Sequence, residues 1–427
     1  MADNKTMNKH VKNAYEMLEA AAAPGGPQAL TATTNLKPAG GFGRLVAPAR
    51  YSFGKDSKKS GSTYVFERRF LLAEGRSIYS GRAMNTVLLD SRESNANRME
   101  EAIRMAAEIE GHVFSKMPSI EVAYGEGEEQ EIFRDYELPH RAFDAHIRFA
   151  KFEDEDGECY KRARKATPRD AGALFDISPI TVLLGGWDST GGCVKFPALV
   201  VGETFGVLAD QSCGQEDAIR RRHGARLDPV SPNFEPLAFT SGELGGTAEE
   251  GNTKIIVEDK DGKKKGGKEA SALNLGHIPP ATDGTDGVAV SSIVRHNVLQ
   301  FGALRRLHFG KGSEGDRAIR TLLAAMAIDA MVRAGGELFL RANAQLVFAG
   351  SACDWVVDDA NGGEGFCKSL SIEEADALLT RAYGGAKDAG AVDDWESKPV
   401  LQVKGNETIY NSRKVEEEED GKTAKKS

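Results

Sequence analysis

The amino-acid sequence predicts an α+β fold whose elements follow the order β-α-β-β-α-β. Three observations carry this prediction: an apolar run leading into a helical repeat, a pair of strand-like runs, and a long apolar helix followed by an alternating run. The predicted elements are a strand at 86–89, a helix at 95–110, strands at 180–186 and 194–201, a helix at 318–334 and a strand at 337–348. This order is the ferredoxin-like pattern shared with RRM domains. The segments 113–175 and 203–316 are too long for turns, so we expect them to form a second lobe or protruding thumb and finger elements.

The composition limits the class of protein. The chain has 427 residues, a formal net charge of −9 and 47 glycines, enough for one large core or two small ones with many loops. The acidic balance argues against a freestanding nonspecific nucleic-acid binder but permits a local basic groove. The five cysteines form no C-x-x-C pair, so they predict reduced thiols rather than a zinc ribbon or a disulfide framework. Because no apolar signal core and no run of about 18 apolar residues occurs, we expect a cytoplasmic protein without a membrane span.

Local patterns predict further elements outside the main order. They are a helix at 11–23, strands at 31–34, 60–72 and 120–124, a helix at 139–151, an exposed insertion at 153–169 and a helix that follows Ser371. His140 and Asp144 stand four residues apart in the helix at 139–151, a spacing that allows a hydrogen bond. Without H-E-x-x-H or a comparable ligand cluster, this pair does not predict a metal site.

The segment 86–111 predicts a strand, a polar loop and a helix. The loop, Asp90–Arg98, has almost no apolar side chains. The alternative N-caps of the helix are Ser94, Asn95 and Asn97. A helix N-terminus offers free N–H groups and partial positive charge, and Arg98 adds a forked donor suited to phosphate. The segment is therefore either an anion site or an ordinary capped loop.

The apolar run at 178–187 has the length of a buried strand, and a second strand resumes at Val194. A polar, glycine-rich tip lies between them, so the segment predicts a β-hairpin with Trp187 at its mouth. Trp187 at this position fits stacking on a base or a guanidinium, and equally a place at the rim of the core.

Two further segments stand out by their charge. The segment 254–268 begins as a strand and continues as DKDGKKKGGK around an Asp261-Gly262 turn. Such a basic hairpin either reaches along a nucleic acid or only keeps the surface soluble. The tail after Val415 is a block of charges and is predicted to be disordered.

Motifs for catalysis are missing from the sequence. It contains no Walker A motif, no G-x-G-x-x-G after a strand, no G-x-S-x-G and no metal-ligand cluster. The sequence therefore predicts no enzyme, no cofactor and no bound metal. Its best functional signals are contacts for a polyanion backbone.

Five motifs follow one another along most of the chain. They are LLDSRESNANRMEE, HRAFDAHIRFA, SPITVLLGGWDSTGG, NLGHIPP and AAMAIDAMVRAGGELFLRANAQLVF. In this order they resemble the type I-G (formerly I-U) CRISPR Cascade backbone subunit, of the Cas-seven family in the RAMP superfamily. The resemblance runs from about Thr31 to about Ala382. It implies an RRM-like palm with thumb and fingers, arranged as one elaborated domain over 31–414 between an N-terminal extension (1–30) and the tail (415–427).

The resemblance also implies which residues contact RNA. Guide phosphates and sugars would be held by Ser91, Ser94, Asn95, Asn97 and Arg98, with Arg141, Trp187, Ser189 and Thr190 as further contacts. Thumb or backbone contacts would come from Lys263, Lys264, Lys265, Arg305 and Arg306. Which insertion forms the thumb stays open. The acidic runs at 125–129 and 153–156 cannot line an RNA groove, so we expect them to face solvent or a basic partner.

The implied partners are CRISPR RNA, target DNA through the guide, and further copies of the chain stacked head to tail in a filament. A capping Cas-five/Cas-six-type subunit, a large subunit and a recruited helicase-nuclease complete the assembly. The helicase-nuclease cuts target DNA, so the backbone subunit itself is expected to be non-catalytic. Two alternatives stay open. One is a metal-dependent ribonuclease of the same superfamily that uses Asp90 or Asp188, and the other is a structural oligomer without nucleic acid, which the acidic pI favours.

Overall fold

The computed structural model describes residues 4–53, 62–71, 82–127, 130–190, 194–212, 219–221, 226–227, 229–230, 257–258, 264–265, 285–350, 355–396 and 401–412. By their contacts the residues fall into two compact units. One comprises 1–218 and 288–407, and the other comprises 219–287 and 408–427. The single domain over 31–414 stays a prediction, and the tail after Val415 lies outside the described residues.

The described strands, in chain order, are β1 (Ala29–Pro38), β2 (Tyr51–Ser52), β3 (Ser62–Thr63), β4 (Phe66–Leu71), β5 (Arg82–Asp90), β6 (Ile120–Tyr124), β7 (Glu131–Arg134), β8 (Gly186–Asp188), β9 (Val194–Phe196), β10 (Val200–Leu208), β11 (Ile219–Arg221), β12 (Val257–Glu258), β13 (Lys264–Lys265), β14 (Thr285–Val288), β15 (Val290–Gln300), β16 (Leu346–Phe348), β17 (Trp355–Asp358), β18 (Glu364–Cys367) and β19 (Leu401–Lys404).

The α-helices are α1 (Asn4–Ala22), α2 (Arg92–Ala107), α3 (Val113–Lys116), α4 (Ala145–Arg148), α5 (Asp154–Ala163), α6 (Gly172–Phe175), α7 (Pro179–Leu184), α8 (Phe301–Leu304), α9 (Gly312–Gly336) and α10 (Ile372–Asp388). Short 3₁₀ turns occupy Asp135–Glu137 and Arg141–Phe143.

The first unit is built on an antiparallel sheet. Its strands lie in the order β18-β17-β1-β15-β10-β5-β4, and β16 pairs with the other end of β1. The elements β5, α2, β10, β15, α9 and β17 give a β-α-β-β-α-β order, but not through all the predicted segments. The predicted strand at 194–201 is divided between β9 and the start of β10, β15 lies inside the predicted insertion at 203–316, and β17 lies after the predicted last strand. In the sheet, β1 lies between β15 and β17. The mixed α+β class is confirmed, and the architecture is compatible with a ferredoxin-like palm that carries insertions.

Helix α9 forms the centre of the helical layer. Of its 25 residues, the stretch from Ala318 to Ala334 is apolar on nearly every side, so this part of the helix needs partners all around it. It packs against α1, α2 and α10 and against β15. The predicted buried helix is thereby confirmed, and it extends beyond both ends of the predicted range.

The predicted strand over 180–186 is wrong, because Pro179–Leu184 forms helix α7. Ser178 caps this helix, its Oγ accepting a hydrogen bond from the Thr181 N–H, and Pro179 stands at the first helical position. A short apolar run does not distinguish a buried strand from a buried helix, whereas Ser-Pro at its start favours a helix. The predicted hairpin around Trp187 is present but shorter than expected, and it consists of β8 paired with β9.

Two other predicted elements are shorter than expected. The strand over 337–348 is reduced to β16, since the chain turns back at Asn343, which has a φ of +59°. The helix over 139–151 is split into a 3₁₀ turn and α4, because the Asp144 carboxylate accepts hydrogen bonds from the backbone N–H groups of His140 and His146. The spacing of His140 and Asp144 is thus used, but through the backbone of His140 rather than its ring.

In the second unit, β11 pairs with β14 and β12 pairs with β13. Val257 lies opposite Lys265 in an antiparallel register, which confirms the predicted hairpin. Lys263 and the NLGHIPP segment lie outside the described residues. For Lys264 and Lys265 the structure describes the strand alone, so their role as thumb contacts stays a prediction.

Helix α10 begins with a reciprocal cap that its predicted N-cap, Ser371, provides. The Ser371 Oγ accepts from the Glu374 N–H (3.2 Å), and the Glu374 carboxylate accepts from the Ser371 N–H (2.9 Å).

We expect Ser371→Ala to lower the free energy of unfolding by about 1 kcal/mol, as measured by urea denaturation. Ser371→Asp, which keeps an acceptor at the cap, should leave it nearly unchanged. Equal stability of the alanine variant and the parent would contradict this role of the cap.

Candidate nucleic-acid interface

Helix α2 starts earlier than predicted. The expected polar loop over Asp90–Arg98 is wrong, because the helix begins at Arg92 and its N-cap is Ser91. The Ser91 Oγ accepts a hydrogen bond from the Ser94 N–H (3.2 Å). The first two turns are polar, so they carry no hydrophobic period by which the sequence could have placed them in the helix.

Asp90 ends β5 beside this helix start and is only 1% exposed. Its Oδ1 accepts a hydrogen bond from the Ser94 hydroxyl (2.6 Å). Its Oδ2 accepts from Arg98 Nε (3.0 Å), and Oδ1 also accepts from Arg98 Nη2 (3.2 Å). This forked pair fixes the orientation of the Arg98 guanidinium.

Two more arginines from distant parts of the chain interact electrostatically with the same carboxylate. Arg341 donates from Nη1 to the Leu89 carbonyl (2.7 Å), and its Nη2 lies 3.8 Å from Asp90 Oδ1. Arg295, on the inward face of β15, donates to the Gly335 carbonyl (3.1 Å). Within the described part of the chain, Arg295 Nε is buried and has no hydrogen-bond partner.

The pKa values reflect this crowding of cations. Burial lowers the pKa of Arg295 to about 10, an effect that Asp90 opposes and Arg98 reinforces. Burial also lowers the pKa of Arg341. With its pKa near 10, Arg295 remains charged at neutral pH, so the cluster holds one carboxylate and three arginines. Because 22% of the Arg98 side chain and 28% of the Arg341 side chain are exposed, part of this excess charge reaches solvent.

A cleft beside Ser91 adds further charged groups. Its lining includes Arg68, Arg69, Arg92, Glu67, Glu93 and Glu203. Arg69 is held by both Glu67 and Glu203 (2.9 and 2.6 Å), so this group contains one more carboxylate than cation. Arg68 and Arg92 are exposed at the rim of the cleft.

The two asparagines of α2 lie on different sides of the helix. Asn97 is exposed, whereas Asn95 is buried against β10. A Cβ atom at Gly202 would lie only 2.3 Å from the Asn95 Oδ1 and 1.9 Å from the Asn297 Oδ1. The glycine therefore permits a close approach of helix and sheet. The structure places Asn95 in the interior, where it seats α2 on the sheet.

Arg141 is mostly buried and ties α2 to the Trp187 hairpin. Its Nε donates to the Glu100 carboxylate of α2 (2.5 Å), and its Nη1 donates to the Gly185 carbonyl (2.8 Å). Burial raises the pKa of Glu100, an effect that Arg141 opposes. The Arg141 backbone has a φ of +49°, a conformation that non-glycine residues rarely adopt.

In the hairpin, Trp187 is exposed and the neighbouring Asp188 is buried. Trp187 is 53% exposed, and the Lys195 Nζ lies 4.6 Å from the centroid of its ring. Asp188 is buried and accepts hydrogen bonds from Arg164 Nε (2.9 Å) and the Thr190 hydroxyl (2.8 Å). Burial raises the pKa of Asp188, but these bonds outweigh it and lower the pKa to about 2. Ser189 is exposed at the tip.

The neighbouring residues Arg305 and Arg306 lie in different environments. Arg305 donates from Nη1 to the carbonyls of Ala21 (2.8 Å) and Pro27 (2.6 Å), so it fastens the connection between α1 and β1. Arg306 is exposed. The structure therefore gives Arg305 a structural task.

Among the described residues, His112, Asp329 and Asp376 form one group whose spacing could hold a metal ion. Arg333 occupies its centre and donates to both carboxylates. The His112 Nδ1 accepts a hydrogen bond from the Phe114 N–H (3.1 Å), which leaves the ring proton on Nε2. A metal needs the lone pair of that nitrogen, so the geometry favours a buried hydrogen-bond network over a ligand set.

Sequence reasoning missed Arg295, Arg341, Arg164 and Lys195. One signal was present: Arg295 and Asn297 alternate with Ile293 and Leu299 on one face of a strand. A polar pair on an otherwise apolar face indicates buried partners, because unpaired burial of such groups is unfavourable. Nothing local in the sequence pointed to Arg341, which lies 251 positions after Asp90.

The comparisons with known proteins fall on this part of the chain. The family model described as CRISPR-associated protein GSU0053 matches residues 30–211. That segment contains Asp90, helix α2 and the Trp187 hairpin. No curated protein matches the sequence. In the described part of the chain, no helix is both long enough and apolar enough to cross a bilayer.

Asp135 supports the Arg141 turn from the interior. Its carboxylate accepts a hydrogen bond from the Ser178 hydroxyl, which lies 2.7 Å from the Thr181 Oγ1. The Thr181 Oγ1 in turn accepts from the Ala142 N–H (3.2 Å). Burial raises the pKa of Asp135 to about 7, although the Ser178 bond opposes this rise.

The contribution of Asp135 to the free energy of unfolding should therefore fall as the pH rises from about 4 to about 7. Over this range the folded protein retains a proton on Asp135 that the unfolded chain has released. Asp135→Asn cannot ionise, so its melting temperature should fall less than that of the parent across the same range. Thermal denaturation at several pH values measures both curves, and parallel curves would contradict the raised pKa.

Proposed function

Because residues 30–211 match a CRISPR-associated family of the Cas-seven, RAMP type, we propose that the chain is the CRISPR RNA-binding backbone subunit of a type I-G Cascade complex. In this function, copies of the chain lie along the spacer of the guide and present it for pairing with target DNA. The observation that carries the proposal is the excess of arginine around Asp90 at the start of α2.

The arrangement suits a phosphate backbone. The N-terminus of α2 contributes free N–H groups and partial positive charge at the end where Arg98 and Arg341 reach solvent. Both side chains are held by protein acceptors before any ligand arrives. Little side-chain entropy is then lost on binding, which favours affinity.

The net charge is consistent with RNA binding at a local cationic site, with protein partners bound by the rest of the surface. A chain of net charge −9 does not attract polyanions as a whole, so binding must be confined to local cationic sites such as this one. The remaining surface would serve protein partners. On this proposal they are neighbouring copies of the chain, a capping Cas-five/Cas-six-type subunit, the large subunit and the recruited helicase-nuclease.

We further propose that the subunit is non-catalytic. A metal-dependent ribonuclease needs a carboxylate that is open to a metal ion. Asp90 is buried and bonded to Arg98 and Ser94, and Asp188 is buried and bonded to Arg164 and Thr190. Both acids are therefore engaged in holding structure, which supports a binding role over cleavage.

Replacing both Arg98 and Arg341 by glutamine should reduce the RNA retained by the purified protein. Two fewer cations should also make the affinity less dependent on salt, with the slope smaller by about 1 for each phosphate that is no longer neutralised. The ratio of absorbance at 260 and 280 nm measures retention, and titrations at several salt concentrations measure the slope.

The matched control is Arg104→Gln, on the same helix. Arg104 is paired with Glu101 (2.7 Å) and Glu108 (2.5 Å), so its loss should leave RNA retention unchanged. Equal retention in the double variant and in the parent would exclude this site as the guide contact. Particles free of nucleic acid would instead favour the structural oligomer.

The purified complex should leave guide-matched RNA intact in the presence of Mg²⁺. Labelled RNA resolved on a denaturing gel measures this directly. Cleavage at regular intervals, abolished by Asp90→Asn or Asp188→Asn, would overturn the non-catalytic proposal and favour the ribonuclease.

A further inference from the structure

The three tryptophans of the chain, all described by the structure, differ sharply in exposure. Trp355 and Trp395 are 6% and 3% exposed, whereas Trp187 is 53% exposed. An indole that is half open to solvent leaves a large apolar surface in water that a fully buried indole would remove from it. Trp187 therefore needs a different explanation from the two buried tryptophans.

The ring of Trp187 is paired with a cation by the register of the hairpin. Trp187 on β8 lies directly opposite Lys195 on β9, and the ammonium group stands 4.6 Å from the ring centroid. An ammonium over an indole is a favourable cation–π contact. The ammonium group covers one face of the ring, so a base would stack on the other face with a positive charge close by.

The base of the hairpin is fixed in place. Arg141 holds the Gly185 carbonyl, and Gly185 has a φ of +86°, which favours glycine. A Cβ atom there would lie 2.8 Å from the Ala198 nitrogen. On the other side, Arg164 holds Asp188. Trp187 thus stands on a rigid support between two anchored residues.

The second anchor brings more positive charge. Arg164 directly follows α5, whose last turn contains Lys161 and Arg162, and Lys165 comes next in the chain. Lys161 is paired with Glu158 (2.7 Å), while Arg162 and Lys165 are exposed. The acids at 153–156 lie at the opposite end of α5. The cations that contact the hairpin itself are Arg164, through Asp188, and Lys195, through Trp187.

We propose that Trp187, Lys195 and the basic end of α5 form a stacking site for an unpaired base of single-stranded nucleic acid. An exposed aromatic ring among cations is the arrangement that binds single strands without regard to sequence. The site goes beyond the proposed function, since phosphate contacts near Asp90 require no free base. It is independent of those contacts, because none of its residues belongs to the Asp90 cluster.

The test uses the tryptophan emission of the full chain, stripped of co-purified nucleic acid by high salt. Oligouridylate and oligothymidylate should quench the emission, because stacking on a base quenches an exposed indole while Trp355 and Trp395 are shielded. Trp187→Phe should abolish the quenching. Trp187→Ala should weaken binding roughly tenfold, as measured by fluorescence anisotropy of a labelled strand.

Two controls sharpen the result. Phe149 is also exposed and has the Arg148 guanidinium 5.4 Å from its ring centroid, but it lies outside the anchored hairpin. If the stacking site is specific to Trp187, Phe149→Leu should bind as the parent does. A duplex of the same length should not quench the emission. Equal quenching by the duplex would overturn the requirement for an unpaired base.

Binding of the single strand without any change in emission would overturn the stacking site. So would quenching that persists in Trp187→Phe. Either result would leave the Arg98 and Arg341 proposal standing, because that proposal is measured by guide retention and salt dependence. Conversely, quenching that survives in the Arg98→Gln, Arg341→Gln variant would support the stacking site on its own.

Discussion

The region around α2 depends on the buried carboxylate of Asp90. It is the shared counter-charge of Arg98, Arg341 and Arg295, which come from three different parts of the chain. Removing this carboxylate would leave the buried Arg295 without a counter-charge, a kind of change that typically destabilises a protein by roughly 3–5 kcal/mol. Asp90 therefore connects α2, the sheet and the loop before β16. The same contacts hold the partly exposed Arg98 and Arg341 guanidinium groups in place.

The sequence predicted correctly those helices that have a long apolar stretch or a clear N-cap. Helix α9 is apolar nearly all round over many turns, and α10 begins with a serine and a glutamate at cap spacing, so both were found. The six residues of α7 are too few to show a period, and the start of α2 is polar, so both were misplaced. Such segments are decided by tertiary contacts, which a local pattern does not contain.

Only some residues of the candidate site could be predicted from the sequence. Arg98 was singled out because it lies near a helix start, but its partner Arg341 lies 243 positions further along the chain. Asn95 looked equivalent to Asn97 until helix geometry placed one inside and the other outside. Residue type thus indicated the chemistry of the site, whereas the direction of each side chain followed from the path of the backbone.

The left-handed turn at Arg141 has a mechanical consequence. A single guanidinium spans from Glu100 on α2 to the carbonyl of Gly185, so the helix and the hairpin share one strut. Displacing either element would break or distort the contact that positions the other. If a ligand at the hairpin changed affinity at the helix, a ligand at the helix would change affinity at the hairpin by the same factor.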